Sequence, residues 1–217
     1  MRETTIVSLM TRARLVQIMA ALERNGATPI PSRSLHSFAF FANVLSPIWD
    51  LTPLDGSVLK EKSGPFYPAL QREIDYLIGR SVLTVVSLKS MGHGEASFIE
   101  PSLRLSKANA QPVLEVVDAL PDEQMTARFL DQLAAAFVEI TPDERTDAAT
   151  LDAAYSDPAV ASGRIVDFAE WVEPTFGNPA WSTAQAFQQY MPSNMVLNRA
   201  EKLAMYMRLI KKRAANG

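Results

Sequence analysis

The stretch from Lys60 to Leu83, KEKSGPFYPALQREIDYLIGRSVL, limits what this chain can fold into more than any other. Gly64-Pro65 predicts a sharp helix start, because proline tolerates the first helical turn and lacks an amide hydrogen that a helix start cannot use. Phe66, Leu70, Ile74, Leu77 and Ile78 then fall on one helical face. Gly79 is placed to adopt the left-handed conformation that ends a helix, and Val82 to Leu88 reads as a β-rich run just after it. Helix, glycine stop and strand in this order predict the second half of a winged helix.

The flanking sequence completes that pattern. Thr11 or Ser8 is a candidate cap for a first helix reaching about Asn25, with Leu15, Ile18, Met19 and Leu22 as its buried stripe and Gly26 closing it. A second helix is expected from Ser32 or Ser34, with Leu35, Phe38, Phe41, Ala42 and Leu45 on its core face and Pro47 at its end. His36 lies off that line and reads as a solvated residue or a cap on a neighbour. Residues 46–57 are turn-rich, with Trp49 and Leu51 as anchors. Val58 to Lys62 reads as a short edge strand on which Lys60 and Lys62 point the same way. Val82–Leu88 and Ser97–Leu105 predict two strands joined by residues 89–96, a hairpin tip in which Gly92 and Gly94 flank His93. Pro101 demotes the second strand to an edge or ends its regular part.

From Ala108 onward the periodicity is helical. Pro112–Leu120 is expected to stop at Pro121, and Asp122–Ile140 to bury Phe129, Leu130, Leu133, Ala136 and Phe137. Gly163–Glu173 is ambiguous between a short helix and an extended segment, its Ile165, Phe168, Ala169 and Val172 fitting a helix face better. Ser182 and Ser193 are candidate caps for two last helices, the final one striped by Leu197, Ala200, Leu203, Met207 and Ile210. The expected class is therefore α+β and mainly helical: a winged helix over residues 1–107, with an appended helical region over 108–217 that can share its core.

The segment Gly64-Pro65-Phe66-Tyr67-Pro68-Ala69-Leu70, with Ile74, Leu77 and the Gly-Arg-Ser-Val-Leu exit, resembles the corresponding segment of SocA/YwgA-like bacterial winged-helix proteins. The resemblance spans roughly residues 11–105. It implies an antitoxin, a regulator, or the middle component encoded beside SMC-like or ABC ATPases in three-component, Lamassu-type phage-defence systems.

The residues exclude several chemistries. With no cysteine among 217 residues, thiol catalysis, disulfides and Cys-ligated zinc are ruled out. Two histidines, His36 and His93, leave little for a His-rich metal site. GxSxG, SxxK, HExxH, GxGxxG and the P-loop pattern are all missing. Asp152, Asp157, Asp167 and Glu170 are the remaining candidates for Mg²⁺, but acids of this kind read equally as solvated faces, caps or contacts for a basic partner. No catalytic residue, cofactor or metal is expected. The chain also lacks an apolar run of the roughly 18–20 residues a membrane span needs, so a cytoplasmic protein is the expectation.

Charge divides the chain. Residues 1–111 carry twelve Lys and Arg against nine acids, 112–173 three against fourteen, and 174–217 six against one. On the 60–83 helix the expected outer positions Tyr67, Gln71, Arg72, Glu73, Asp75 and Tyr76 hold one arginine against two acids, a poor match to phosphates. Lys60, Lys62, Arg80 and Lys89 sit near its ends. Candidate contact residues for a protein partner or DNA are thus Lys60, Lys62, Tyr67, Gln71, Arg72, Arg80, Lys89 and His93. Trp171, Phe176 and Trp181 either tie their loop to the core or anchor an interface. The sequence favours a non-enzymatic accessory subunit that docks onto other proteins; the resemblance makes these an ATPase and an effector of an anti-phage complex. A stand-alone regulator or antitoxin bound to double-stranded DNA is the alternative.

Overall fold

Helix α1 (Arg2–Arg24) buries Leu15, Ile18, Met19 and Leu22 and ends where Gly26 takes φ +74°. It starts well before the expected caps. Thr11 donates from Oγ1 to the Val7 carbonyl (2.9 Å), satisfying itself inside the helix rather than opening it. The structure, a computed structural model, describes residues 2–53, 57–92, 97–152, 155, 162–167 and 178–216.

A two-residue strand β1 (Ile30–Pro31) leads into α2 (Ser32–Leu45). Every residue of α2 except Arg33 is buried, not only the expected apolar face. A helix enclosed on all sides is the centre of its fold. Around it run α1, the later helices and two small antiparallel sheets. A 3₁₀ turn at Ser46–Trp49 precedes β2 (Ser57–Glu61), β3 (Gly64–Phe66) and α3 (Pro68–Gly79). Strands β4 (Leu83–Met91) and β5 (Phe98–Leu105) follow. Then come α4 (Lys107–Asp118), α5 (Pro121–Phe137), the short α6 (Pro142–Arg145), β6 (Ile165–Asp167), α7 (Pro179–Ala186) and α8 (Arg199–Asn216). The architecture is α+β and mainly helical.

One sheet has the order β1-β5-β4, with Ile30 opposite Leu103 and Leu83 opposite Leu105. The other has the order β3-β2-β6. This second sheet corrects two expectations. Val58–Lys62 is not an edge: β2 is the middle strand, and its Lys60 backbone bonds Gly163 (2.7 Å) and Arg164 (2.9 Å). Those bonds hold Ile165–Asp167 extended, the less favoured of the two readings of this segment, because the open side of β2 offers it a ladder; residues 168–173 lie outside the described residues. In the first sheet Pro101 lies within β5, the middle strand. It sits just beyond the residues that pair with β1, so its missing N–H costs no bond on that side.

The 60–83 segment also differs in detail. Gly64-Pro65 belongs to β3, with Pro65 opposite Lys60 on an edge strand, where a proline is tolerated. The helix starts at the next proline, Pro68, in the first-turn position. Gly79 stays helical. The left-handed residue is Ser81 (φ 57°), whose N–H reaches the Ile78 carbonyl (2.9 Å) while Val82 reaches Leu77 (2.9 Å), a Schellman closure. A serine there bears a steric cost that glycine does not. Ser81→Gly is expected to raise the unfolding free energy by about 0.5–1 kcal/mol in urea titration; an unchanged or lower midpoint would refute it.

Caps differ as well. α4 begins at Lys107 and carries Pro112 inside it. Asn178, not Ser182, caps α7 by accepting from the Trp181 N–H (3.0 Å). Asn198, not Ser193, opens α8, accepting from the Glu201 N–H (3.0 Å) while Glu201 accepts from the Asn198 N–H (2.8 Å). This reciprocal pair is a capping box, which satisfies two otherwise orphaned donors. The buried cluster runs without a break from Leu15 in α1 to Ile210 in α8, crossing position 107.

Candidate interaction surface

The start of α3 is held by a histidine. His36 on α2 is 2% exposed, and its Nδ1 accepts the Tyr67 N–H (3.2 Å). Nδ1 being an acceptor, the proton sits on Nε2, which donates to Gln71 Oε1 (3.1 Å). Gln71 Nε2 in turn donates to Asp75 Oδ1 (2.9 Å). A directed chain thus runs from a buried backbone amide to an exposed carboxylate. Burial lowers the His36 pKa below its ordinary value, partly offset by the bond to Gln71. The imidazole also lies parallel to the Tyr67 ring, with centroids 6.2 Å apart. Of the two sequence alternatives for His36, it caps a neighbour and is not solvated.

This packing redistributes the expected contact residues. Tyr67 is 1% exposed and its hydroxyl accepts from Asn43 Nδ2 (2.9 Å), so it is core and not part of the helix's outer face. Gln71 is half-buried and committed to His36 and Asp75. Glu73, expected outside, is buried and bonded to the Arg12 guanidinium of α1. That guanidinium also covers the Tyr76 ring at 3.7 Å, and Arg80 approaches the same ring at 5.4 Å. The outward face of α3 is then Arg72, Asp75, Tyr76 and Gly79, with no net charge. Lys62 is exposed in the β2–β3 turn, while the Lys60 ammonium lies 5.6 Å over the Tyr155 ring. Arg80 and Lys89 are exposed; His93 and Gly94 lie outside the described residues. The structure does not gather the lysines and arginines into one basic stripe along α3.

What sequence reasoning missed is apolar. Leu88 on β4 and Ile99 on β5 are 66% and 67% exposed, and Leu88 faces Pro101 across the ladder as Ser90 faces Ile99. Directly opposed residues share a sheet face, so Leu88, Pro101 and Ile99 line one side of the projecting hairpin. The signal was present in VLTVVSLKSM, where apolar residues do not alternate with polar ones. From Thr84 to Ser90 every residue of β4 is exposed, so its apolar side chains are left uncovered.

Among the described residues no cluster of three or more His, Asp or Glu is arranged to hold a metal. Asp152 is fully buried and accepts the Tyr206 hydroxyl, so it is a structural group. Asp157, Glu170 and the side chain of Asp167 lie outside the described residues, as do Trp171 and Phe176. Trp181 packs partly buried against the core.

No protein-family model matches this chain, and no curated protein matches it. Among the described residues no helix is long and apolar enough to cross a membrane.

Proposed function

We propose that the chain is a winged-helix protein working as a non-enzymatic docking subunit, with α3 and the β4–β5 wing facing a protein partner. The element order supports the winged-helix reading: helix, short strand, helix, helix, strand, strand, with the sheet ordered β1-β5-β4. It departs from the simple pattern between α2 and α3, where a helix-turn-helix has a turn of a few residues. Here a 3₁₀ turn and the β2–β3 hairpin intervene.

The observation that carries the docking reading is the apolar side of the wing. Leu88 and Ile99 present aliphatic surface where a DNA-directed wing presents cations to phosphates. The outward face of α3 adds Asp75, which repels phosphate, beside a single outward Arg72. Exposed aliphatic side chains on one side of the wing suit a protein surface with an apolar centre, while Lys89 lies on the other side of the hairpin, opposite Glu100. The partner class follows from the resemblance of the Gly64–Leu70 segment: an ABC or SMC-like ATPase and its effector in a bacterial anti-phage complex.

The test is co-purification with the product of a neighbouring ATPase gene. The double change Leu88→Asp and Ile99→Asp is expected to abolish the complex while altering the chain's own stability by no more than about 0.5 kcal/mol, as for other exposed sites. Retention of the complex by that variant removes the wing from the proposal. Salt-sensitive binding to double-stranded DNA, lost on changing Lys60, Lys62 and Arg72 to Glu, replaces the proposal with a DNA-bound regulator or antitoxin.

A further inference from the structure

The side of the wing away from Leu88 and Ile99 borders a cavity. Successive residues of a strand point to opposite faces, so Phe98 and Glu100 share the face of β5 that turns toward α2. Glu100 is buried there and accepts the backbone N–H of Arg33 (3.2 Å). Next to the first turn of α2, the β2–β3 hairpin and the start of β5 is an opening of about 230 Å³. Pro65, Phe66 and Phe98 line it with apolar surface, Arg33 and Glu61 with charge. His36 contributes its ring alone, because both nitrogens are already bonded, to Tyr67 and Gln71.

The two charges are not spent on each other. The Arg33 guanidinium uses Nη2, which donates to the Ser63 carbonyl (2.5 Å) and lies 3.8 Å from the exposed Asp147 carboxylate. Its Nε and Nη1 have no partner among the described residues. The Glu61 carboxylate carries one long bond, from the Ser63 hydroxyl to Oε2 (3.5 Å), and no ion pair among the described residues. A plain anion entering the cavity meets Glu61 and the nearby Glu100 as well as Arg33, and a plain cation meets Arg33. A molecule that bears both charges on an apolar body satisfies each of them. The volume sets its size, being below the roughly 300–1,000 Å³ of pockets that take drug-sized ligands.

We propose that this cavity binds a free apolar α-amino acid, its carboxylate on Arg33, its ammonium on Glu61 and its side chain against Phe66 and Phe98. The unpartnered Nε and Nη1 form the edge of the guanidinium that matches a carboxylate with two parallel hydrogen bonds. A residue within a peptide does not fit this pattern, because an N-terminal residue lacks the carboxylate and a C-terminal one lacks the ammonium. The bound molecule would bridge the wing to the body of the protein, since Phe98 belongs to β5 whereas Arg33 and Glu61 belong to α2 and β2. The inference does not rest on docking by the wing, whose Leu88 and Ile99 lie on the other face.

Titration calorimetry on the full chain tests it, with L-phenylalanine, L-leucine and L-methionine as probes. At least one of the three is expected to bind. Phenylalanine amide, which lacks the carboxylate, and N-acetylphenylalanine, which lacks the ammonium, should each bind roughly 10-fold or more weakly than phenylalanine. Arg33→Gln, Glu61→Gln and Phe98→Ala should each weaken binding of the free amino acid, with melting curves showing which variants are folded. Phe98 is 43% exposed, so its replacement keeps the test open if Arg33→Gln unfolds the chain. Glu61→Gln should also narrow the gap between phenylalanine and its N-acetyl form, an effect that mere loosening of the fold would not produce. No binding by any of the three amino acids at millimolar concentration overturns the proposal. Equal binding of the amide and N-acetyl forms overturns it too, as does unchanged affinity in every folded variant.

Discussion

Asp152→Ala is expected to cost on the order of 2–5 kcal/mol, a large part of the 5–15 kcal/mol that holds an ordinary domain together. Asp152 is fully buried at the end of a 3₁₀ turn, where its carboxylate accepts the hydroxyl of Tyr206 on α8 and the N–H of Tyr155 (3.3 Å). Tyr155 in turn donates its hydroxyl to the Glu61 carbonyl at the end of β2 (2.6 Å). Burial, with the neighbouring carboxylate adding to it, raises the Tyr206 pKa far above the ordinary tyrosine value, so Tyr206 remains a donor at any working pH. Burial likewise pushes the Tyr155 hydroxyl up to about 12. Removing the carboxylate strands two buried donors at about 1–3 kcal/mol each. The complementary change, Tyr206→Phe, takes one donor from a buried carboxylate. The two substitutions should therefore be strongly non-additive in a double-mutant cycle. Urea titration reads both, through a lowered midpoint at unchanged slope. A loss below about 0.5 kcal/mol for Asp152→Ala, typical of a surface site, would show that the carboxylate does not link α8 to β2.

Asp152 also shows where the sequence stops informing. As one acid among fourteen between residues 112 and 173, it reads as a solvated charge or a metal ligand. Its role depends on Tyr206, 54 residues away, and no local pattern records that contact. Periodicity was informative where each element settles its own burial. The stripes of α1 and α5 lie inside as their spacing implies, as does that of α8 apart from the half-buried Ala200, and β4 and β5 pair as the apolar runs on either side of residues 89–96 imply. It failed where neighbours decide. α2 reads as a one-faced helix, yet Ser34, Ser37 and Asn43 are buried because Thr146 and Tyr67 bond them. Gly79 offers the easier left-handed turn, but the chain reverses two residues later at Ser81, where the Leu77 and Ile78 carbonyls find their donors. The contact residues suffered most. Helical spacing alone does not show that Tyr67 precedes the helix or that Gln71 is already bonded to His36. An apolar surface on the wing was readable as failed alternation, a signal easily taken for a buried strand.

His36 carries the second large effect, and it depends on pH. His36→Ala removes the acceptor of the buried Tyr67 N–H, the donor to Gln71 and a ring packed against Phe66 (centroids 5.0 Å apart). An orphaned amide together with a new void is expected to cost about 2–4 kcal/mol. His36→Asn, whose side-chain oxygen can stand where Nδ1 stands, should recover part of that loss. Because burial lowers the folded-state pKa below the unfolded value of 6.5, the neutral ring is the form the fold holds. Above pH 6.5 the ring is neutral in both states and the stability is fully present. As pH falls below that value the unfolded chain takes up the proton first, and stability declines until the pH passes the folded-state pKa. The slope in this window reaches at most about 1.4 kcal/mol per pH unit. Exposed carboxylates contribute equally to both proteins, so the difference between wild type and His36→Asn isolates the imidazole. Denaturant midpoints measured from pH 7.5 to pH 5 should converge as the pH falls, the wild type losing its advantage. Parallel curves would mean that His36 accepts its proton without disturbing the start of α3, and the chain from Tyr67 through Gln71 to Asp75 would then not depend on a neutral ring.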